Sequence, residues 1–317
     1  MVDRGGSSSP VSRRGSGERV AGTHAPSATT VRAVVVTYFS GPFLGALVAS
    51  IPPASTQTVP LTVVDNASTD GTVEYAAQHE AIRLINSGSN LGYGGAANLG
   101  VHDSSEDWIV IVNPDVRFQP GAIDALLEAA SRWPRSGVLG PQILTPDGLI
   151  YPSARELPSL GRGIGHVVFG WWWPTNPWTA GYRREREAPR ERTSGWLSGA
   201  CLLVRREAFE AVGGFDESFF MYFEDIDLCE RLAVAGWDVV YAPSAVVEHH
   251  GAHSTSRNLR LMSKTHHDSA YLYLARHYPG PARAPLRGIL KAGLWARYQL
   301  SRRVSRVADG AQPTRRL

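Results

Sequence analysis

A chain of 317 residues, 43% of them hydrophobic, has enough apolar material for one large α/β domain or two small ones. Its net charge of +3 is unevenly placed: residues 276–317 carry +9 and residues 1–30 carry +2, which leaves −8 on the body between them. An acidic body with a basic tail does not fit a nucleic-acid binder, and two cysteines are too few for a disulfide framework or a zinc site.

Residues 1–30 are Ser, Gly, Arg, Thr and Pro with almost no large apolar residue, so disorder is expected there. Arginines near the start are not followed by an apolar stretch, which argues against a secretory signal. No apolar run approaches the ~18 residues that span a bilayer. A cytoplasmic location is therefore expected, and Cys201 and Cys229 read as reduced core residues.

Order begins at Val31–Tyr38, a run with the pattern of a buried strand. A helix follows over 42–51 with Pro42 in its first turn. A strand at 61–64 ends in Asp65, and Ser68, Thr69 and Asp70 are candidate caps for a helix over about 71–79. A third strand, 82–85, runs into the glycine-rich Asn90–Gly100 and a further helix. A fourth strand is Trp108–Val112, which breaks at Asn113-Pro114-Asp115 because proline cannot continue the ladder. Such alternation implies a parallel sheet with helices on both faces, whose ligands lie outside the carboxyl ends of the strands. Asp65 and Asp115 then share one sheet edge. A carboxylate there suits a hard divalent cation, although in isolation an Asx turn is the better reading of Asp115. The glycines at 92, 94 and 95 let a backbone approach a ligand closely. Their spacing is not GxGxxG and they open the third crossover, so a dinucleotide site is rejected.

Four stretches taken together, Val34–Tyr38, Val64–Thr72, Asn90–Asn98 and Asn113–Asp115, resemble the nucleotide-sugar half of family 2 glycosyltransferases. The resemblance covers about 31–275 and implies a GT-A fold: a Rossmann-like sheet with helices on both faces, then a mixed-sheet acceptor half. It divides the chain at about 116, with an insertion over 155–192 and a basic amphipathic tail over 276–317. It also implies that Thr37, Tyr38 and Asp65 hold the nucleoside, with Asn90, Gly92, Tyr93, Gly94, Asn98 and Asn113 on the nucleotide sugar. Asp115 matches the family's metal-binding acid, for Mg2+ or Mn2+. Asn113 replaces the first acid of that triplet, which leaves Asp115 to supply the charge.

In the second half a helix is expected over 120–133, a strand over 137–144, and a hairpin turn at Pro146-Asp147-Gly148. The 155–192 stretch mixes dense charge with Trp171, Trp172, Trp173 and Trp178. Those indoles could lie at a bilayer interface, stack on a sugar or pack beneath the loop. A strand over 195–204 and a helix at 206–211 precede Gly213–Leu232, where Glu224-Asp225 stands at the junction of an aromatic stretch and a helix. Acids at a helix N-terminus can simply be caps. The aromatics at 219–223 would also desolvate a carboxylate and raise its pKa toward general-base duty. The resemblance implies that this acid pair deprotonates the acceptor: Asp225 as the base, Glu224 the runner-up, and Asp227 holding the helix start or the acceptor. Trp196, Ser198 and Gly199 are candidate acceptor or phosphate contacts. After a strand at 238–241, His249 matches a metal ligand, and His253 and Ser254 match phosphate contacts, although clustered histidines are also common at surfaces.

A helix is expected over 266–278. Leu286, Ile289, Leu290, Leu294 and Tyr298 then follow helical spacing among basic residues, the pattern of an interfacial helix or of one packed on the body. Within the family, the wording at 90–98 and 219–231 most resembles bacterial rhamnosyltransferases that use dTDP-L-rhamnose. The actinobacterial branch acts on lipid-linked N-acetylglucosaminyl diphosphate. An inverting, metal-dependent transfer onto a polyprenyl-diphosphate-linked sugar is thus expected, at the inner leaflet of the membrane, which the basic tail would contact. UDP-galactofuranose or UDP-GlcNAc as donor, or sugar-nucleotide binding without transfer, are the alternatives.

Overall fold

The apolar run Trp108–Val112 lies at the middle of one sheet, buried along its whole length. The coordinates are a computed structural model that describes Met1 and residues 29–158, 189–251 and 259–310. Residues 2–28, the insertion tryptophans 171–173 and 178, His253 and Ser254 lie outside the described residues.

The first half alternates as expected. Strand β1 (Val31–Thr37) leads to α1 (Gly41–Ala54), β2 (Leu61–Asp65) to α2 (Thr72–Ala77), and β3 (Ile82–Asn86) to α3 (Gly92–Val101), before β4 (Trp108–Val112). Next come β5 (Val116–Phe118), α4 (Ala122–Arg132), β6 (Ser136–Leu144), β7 (Ile150–Tyr151) and β8 (Ala154–Arg155). The chain then passes through β9 (Arg192–Thr193), β10 (Trp196–Leu197), β11 (Cys201–Arg205), α5 (Arg206–Ala211), α6 (Glu224–Val234) and β12 (Asp238–His249). It ends in α7 (Leu259–His277) and α8 (Ala284–Gly310).

The main sheet runs β3-β2-β1-β4-β11-β6-β12-β5. Strands β1 to β4 are parallel to one another, whereas β11 is antiparallel to both β4 and β6. Strand β1 lies between β2 and β4, so the direction of strand addition reverses there and a crevice opens at the carboxyl ends. Side chains alternate between two cores. Val31, Ala33, Val35, Val110, Val112 and Leu203 face α1 and α4, while Val34, Val36, Ile109, Ile111 and Leu202 face α3 and the helices of the second half. Cys201 and Cys229 are buried free thiols, and burial pushes Cys229 up to about 12.

Three elements differ from expectation. The run 195–204 is two strands rather than one, because the chain turns at Ser198–Ala200 between β10 and β11. Strand β12 does not stop at Tyr241: it continues to His249 across a register shift at Ala242/Val246, where Pro243 removes a donor. Helix α7 begins at Leu259, well before 266. The hairpin at Pro146–Gly148 is present, with the Gly148 N–H on the Thr145 carbonyl at 2.8 Å, and it joins β6 to β7.

Candidate active site

At the end of β2, Asp65 is buried and accepts the Thr37 hydroxyl at 2.8 Å and the Ser68 N–H at 2.7 Å. The neighbouring Asn66 is also buried. Its amide donates to the Gly92 carbonyl at 3.0 Å and its oxygen accepts the Leu91 N–H at 3.2 Å, which ties β2 to the start of α3. Tyr38 is half-buried beside Phe39, whose φ of +53° turns the chain away from the sheet. The ends of β1 and β2 thus form one braced wall of the crevice.

The opposite wall comes from β4 and β12. Because His249 pairs with Val116 across β12 and β5, its imidazole stands beside Asp115, with Nε2 3.2 Å from Oδ1. Asn113 approaches the same nitrogen at 3.5 Å. Burial would raise the Asp115 pKa, but the His249 imidazole and nearby backbone N–H groups outweigh it and hold the carboxyl below its usual range. A cavity of about 160 Å³ opens here, lined by Pro42, Phe43, Val116, Arg117 and His250 as well as Asp115. It is smaller than typical ligand pockets, so a nucleotide sugar needs the open crevice beyond it. A larger hollow of about 420 Å³ between α6 and α7 is lined by neither Asp115 nor Asp225.

The acid pair sits at the start of α6. Asp225 accepts the Gly199 N–H through Oδ2 and the Ile226 N–H through Oδ1, both at 2.9 Å. Glu224 is buried, and its Oε2 has no hydrogen-bond partner. Burial, and then the adjacent Asp225 charge, raise the Glu224 pKa well above normal. Burial also raises Asp225, with the Gly199 and Ile226 N–H groups acting against it. Two adjacent acids raised by burial, with Asp225 the more accessible, are a sound arrangement for proton transfer at Asp225.

Gly199 links the two walls. The N–H of Asn113, just past β4, donates to the Ala200 carbonyl at 2.9 Å, so Gly199 and Asp225 lie beside the strand end that leads to Asp115. The Tyr93 hydroxyl donates to the Gly199 carbonyl at 2.7 Å. Burial raises the Tyr93 pKa well above 10.0, and the charges of Glu224, Asp225 and Asp115 all add to it. One phenol therefore senses acids from both halves of the chain.

Residues 33–213 match the sequence family described as "Glycosyl transferase family 2". The chain belongs to that family. Residues 165–266 also match "Glycosyl transferase family group 2". This family 2 glycosyltransferase is 52% identical, over 284 residues, to the N-acetylglucosaminyl-diphospho-decaprenol L-rhamnosyltransferase of Mycobacterium tuberculosis, with 86% of this chain and 92% of that protein covered. It is also 41% identical over 81 residues to the rhamnosyltransferase WbbL of Escherichia coli, covering 26% of this chain and 31% of that one. Among solved structures, the mannosyltransferase PcManGT of Pyrobaculum calidifontis, in complex with GDP-Man and Mn2+, superposes with a TM-score of 0.52 at 19% identity, covering 89% of this chain and 76% of that one. GalNAc-T7 with UDP, GalNAc and Mn2+ gives 0.54 at 13% identity, covering 72% and 45%. The fold is GT-A.

Several expected site residues of the transferase face elsewhere. Asn98 donates to the Phe215 carbonyl at 2.9 Å and to Glu217 at 3.1 Å, and accepts the Phe215 N–H at 2.8 Å, so its amide is occupied by the 213–217 turn. Gly92 and Gly94 approach protein rather than open space: a Cβ on Gly92 would lie 2.2 Å from the Phe220 carbonyl, and one on Gly94 would lie 2.9 Å from Phe215 Cβ. Asn90 caps this turn by accepting the Gly92 N–H at 3.0 Å. Asp227 is not brought beside Asp225. Two residues along a helix point to opposite faces, and its carboxylate pairs with Arg231 at 2.7 Å and Arg276 at 3.4 Å. Trp196 is buried with its Nε1 unpartnered, and Ser198 lies half-buried beside Gly199.

Sequence reasoning missed two residues. Asn66 was legible as a polar residue after a strand but not as the link to α3. Arg155, whose guanidinium stacks 5.1 Å over Trp196 and acts weakly against the burial that raises Asp225, stood in a charge-rich stretch with no signal to single it out.

Proposed function

We propose that this glycosyltransferase moves L-rhamnose from dTDP-L-rhamnose onto N-acetylglucosaminyl-diphospho-decaprenol, or a close lipid-linked analogue, with inversion at the anomeric carbon. The 52% identity over 284 residues, which runs through both halves of the sheet, carries the donor and acceptor assignment. The buried acid pair beside Gly199 supports the mechanism. Asp225 takes the proton of the acceptor hydroxyl as that oxygen attacks the anomeric carbon, and the nucleoside diphosphate leaves from the opposite face. Glu224 keeps its proton, which spares the pocket a second buried charge. Thr37, Tyr38 and Asp65 form the nucleoside wall. Asn66, Asn90, Asn98, Gly92 and Gly94 serve by bracing the crevice.

A divalent cation fits the Asp115–His249 pair: a carboxylate oxygen and an imidazole nitrogen stand 3.2 Å apart, with the Asn113 amide next to them. Among the described residues no group of three or more His, Cys, Asp or Glu is assembled, so the remaining ligands would come from the diphosphate and water. A divalent cation such as Mg2+ or Mn2+ held there by Asp115 and His249 would supply charge neutralisation for the leaving diphosphate.

No described helix is long and apolar enough to cross a membrane. Helix α8 packs on α7 with Leu286, Leu290 and Leu294 half-buried, while Ile289 and Trp295 are 69% and 63% exposed among Arg283, Lys291 and Arg297. That exposed face suits an anionic inner leaflet, where a lipid-linked acceptor resides.

The test is incubation with dTDP-L-rhamnose and decaprenyl-diphosphate-GlcNAc, with and without chelator, beside UDP-galactofuranose and UDP-GlcNAc. A rhamnosylated lipid formed only with metal is the expected product. Transfer from a UDP-sugar alone would overturn the donor.

A further inference from the structure

We propose that α7 is a positioning helix for the acid pair: a single stripe of its side chains, His266, Ser269, Tyr273 and Arg276, clamps the loop 216–223 and so fixes where Asp225 stands. The inference rests on Asp225 being the base.

The four residues are spaced three, four and three apart, which places them on one helical face. Each grips a different part of the loop. The Ser269 hydroxyl, in a residue only 5% exposed, donates to the Met221 carbonyl at 2.8 Å. The His266 ring lies against Tyr222 and Phe223, with centroids 5.3 and 5.6 Å away. Tyr273 packs on Phe223 from 5.6 Å. Arg276 pairs with Asp216 at 2.7 Å, donates to the Ser218 hydroxyl at 2.7 Å, and lays its guanidinium 4.8 Å over the Phe219 ring.

What the stripe holds is strained. Tyr222 and Phe223 have φ of +67° and +70°, a left-handed conformation that bulky side chains adopt only when their surroundings impose it. Phe223 is the residue from which α6 starts, and no side chain caps that helix. The direction of its first turn, which carries Glu224 and Asp225, therefore follows from these two dihedrals. On the far side, the Tyr93 N–H donates to the Phe220 carbonyl at 3.0 Å, and Gly92 leaves no space for movement toward α3. The loop is held in a vice between the start of α3 and the stripe on α7.

His266 meets the loop by ring contact with Tyr222 and Phe223, so the ring works by shape. Phenylalanine should therefore replace it.

The experiment compares Ser269→Ala, Ser269→Thr, His266→Ala and His266→Phe in the full chain. Turnover is measured across pH, donor affinity by calorimetry, and backbone hydrogen exchange over 219–226 and 108–112. The two alanine variants should lose roughly tenfold or more in kcat with donor Kd within about twofold, and the pH at half-maximal rate should shift. Exchange at 219–226 should quicken while strand 108–112 stays protected. Ser269→Thr and His266→Phe should recover most of the rate. Unchanged kcat with unchanged exchange would overturn the proposal, as would a parallel fall in kcat, donor affinity and melting temperature. If the wild type itself transfers no rhamnose, the donor reading fails. The exchange measurement then decides the clamp alone, and unaltered exchange at 219–226 in Ser269→Ala overturns it.

Discussion

The backbone of Gly199 holds Asp225 and Tyr93 at once: its N–H donates to the Asp225 carboxylate at 2.9 Å and its carbonyl accepts the Tyr93 hydroxyl at 2.7 Å. A residue between β10 and β11 thereby anchors an acid on α6 to the sheet edge that bears Asp115. Gly199 has little space, since a Cβ there would sit 3.3 Å from Asp225 Cβ and 3.4 Å from Oδ2. Gly199→Ala should displace the acid by a few tenths of an ångström. It is expected to lower kcat about tenfold while the melting temperature changes little. Steady-state kinetics beside a thermal melt checks this, and wild-type turnover would remove Gly199 from the positioning role.

Replacing Asp225, the proposed base, should be more severe. Asp225→Asn keeps the shape and one acceptor oxygen but cannot take a proton, and kcat should fall by about 10²–10⁴. Donor affinity should be retained. Equal turnover in Asp225→Asn and wild type would instead favour a protein that binds sugar nucleotides without transferring the sugar.

The buried acids give two pH dependences. Burial raises Asp225 above its ordinary 3.8, so kcat should climb with pH through a value higher than that of a free aspartate. Glu224 is raised well above 4.5 by burial and by Asp225, so folding favours its protonated form. Its contribution to stability is full below the unfolded value and is lost as pH rises through the folded one. Glu224→Gln stays neutral throughout. Its melting temperature should therefore match wild type near about pH 4 and exceed it increasingly toward about pH 9. A constant difference across that range would mean that Glu224 is ionised in the fold.

Gly92 and Gly148 make a matched pair. Both have left-handed φ, +78° and +79°, but a Cβ on Gly148 meets nothing within 4 Å whereas one on Gly92 strikes the Phe220 carbonyl at 2.2 Å. Gly148→Ala should cost about 1 kcal/mol, and Gly92→Ala about 3 kcal/mol or more because the loop must move as well. Denaturant titration gives both values. Similar costs would show that the contact with Phe220 yields easily.

For the cation, Asp115→Ala should abolish turnover at any metal concentration. His249→Ala should raise the concentration needed for half-maximal activity by about 10–100-fold. Activity titrated with Mn2+ after chelation measures both. Indifference of His249→Ala to metal concentration would leave the imidazole as a partner of Asp115 only.

The sheet was largely legible because its strands are mostly apolar on both faces: Val31–Val36, Leu61–Val64, Trp108–Val112 and Cys201–Val204 bury residues into two cores. The break at Ser198–Ala200 was not, since Trp196 to Val204 is apolar apart from Ser198 and Gly199, and the bonds of those two residues bend it. Strand β12 hid behind Pro243 for the opposite reason: the ladder resumes past a bulge that local rules read as an end. The glycines of α3 were recognisable as places of close approach, but the sequence does not say what approaches, and it is Phe220 and Phe215. Left-handed Tyr222 and Phe223 break local preference altogether, and the packing of α7 and of the start of α3 accounts for them.

The seam between β4 and β11, with Val112 against Cys201 and Trp108 against Arg205, joins residues nearly a hundred positions apart in the chain. It makes the first four strands and those that follow α4 one continuous sheet. A chimera that borrowed the acceptor side of another transferase would have to import a β11 matched to this β4. A fragment ending after α4 would bare the flank of an apolar strand and invite aggregation. Altered acceptor preference is therefore more accessible through the connections at the sheet edge than through exchange of whole modules.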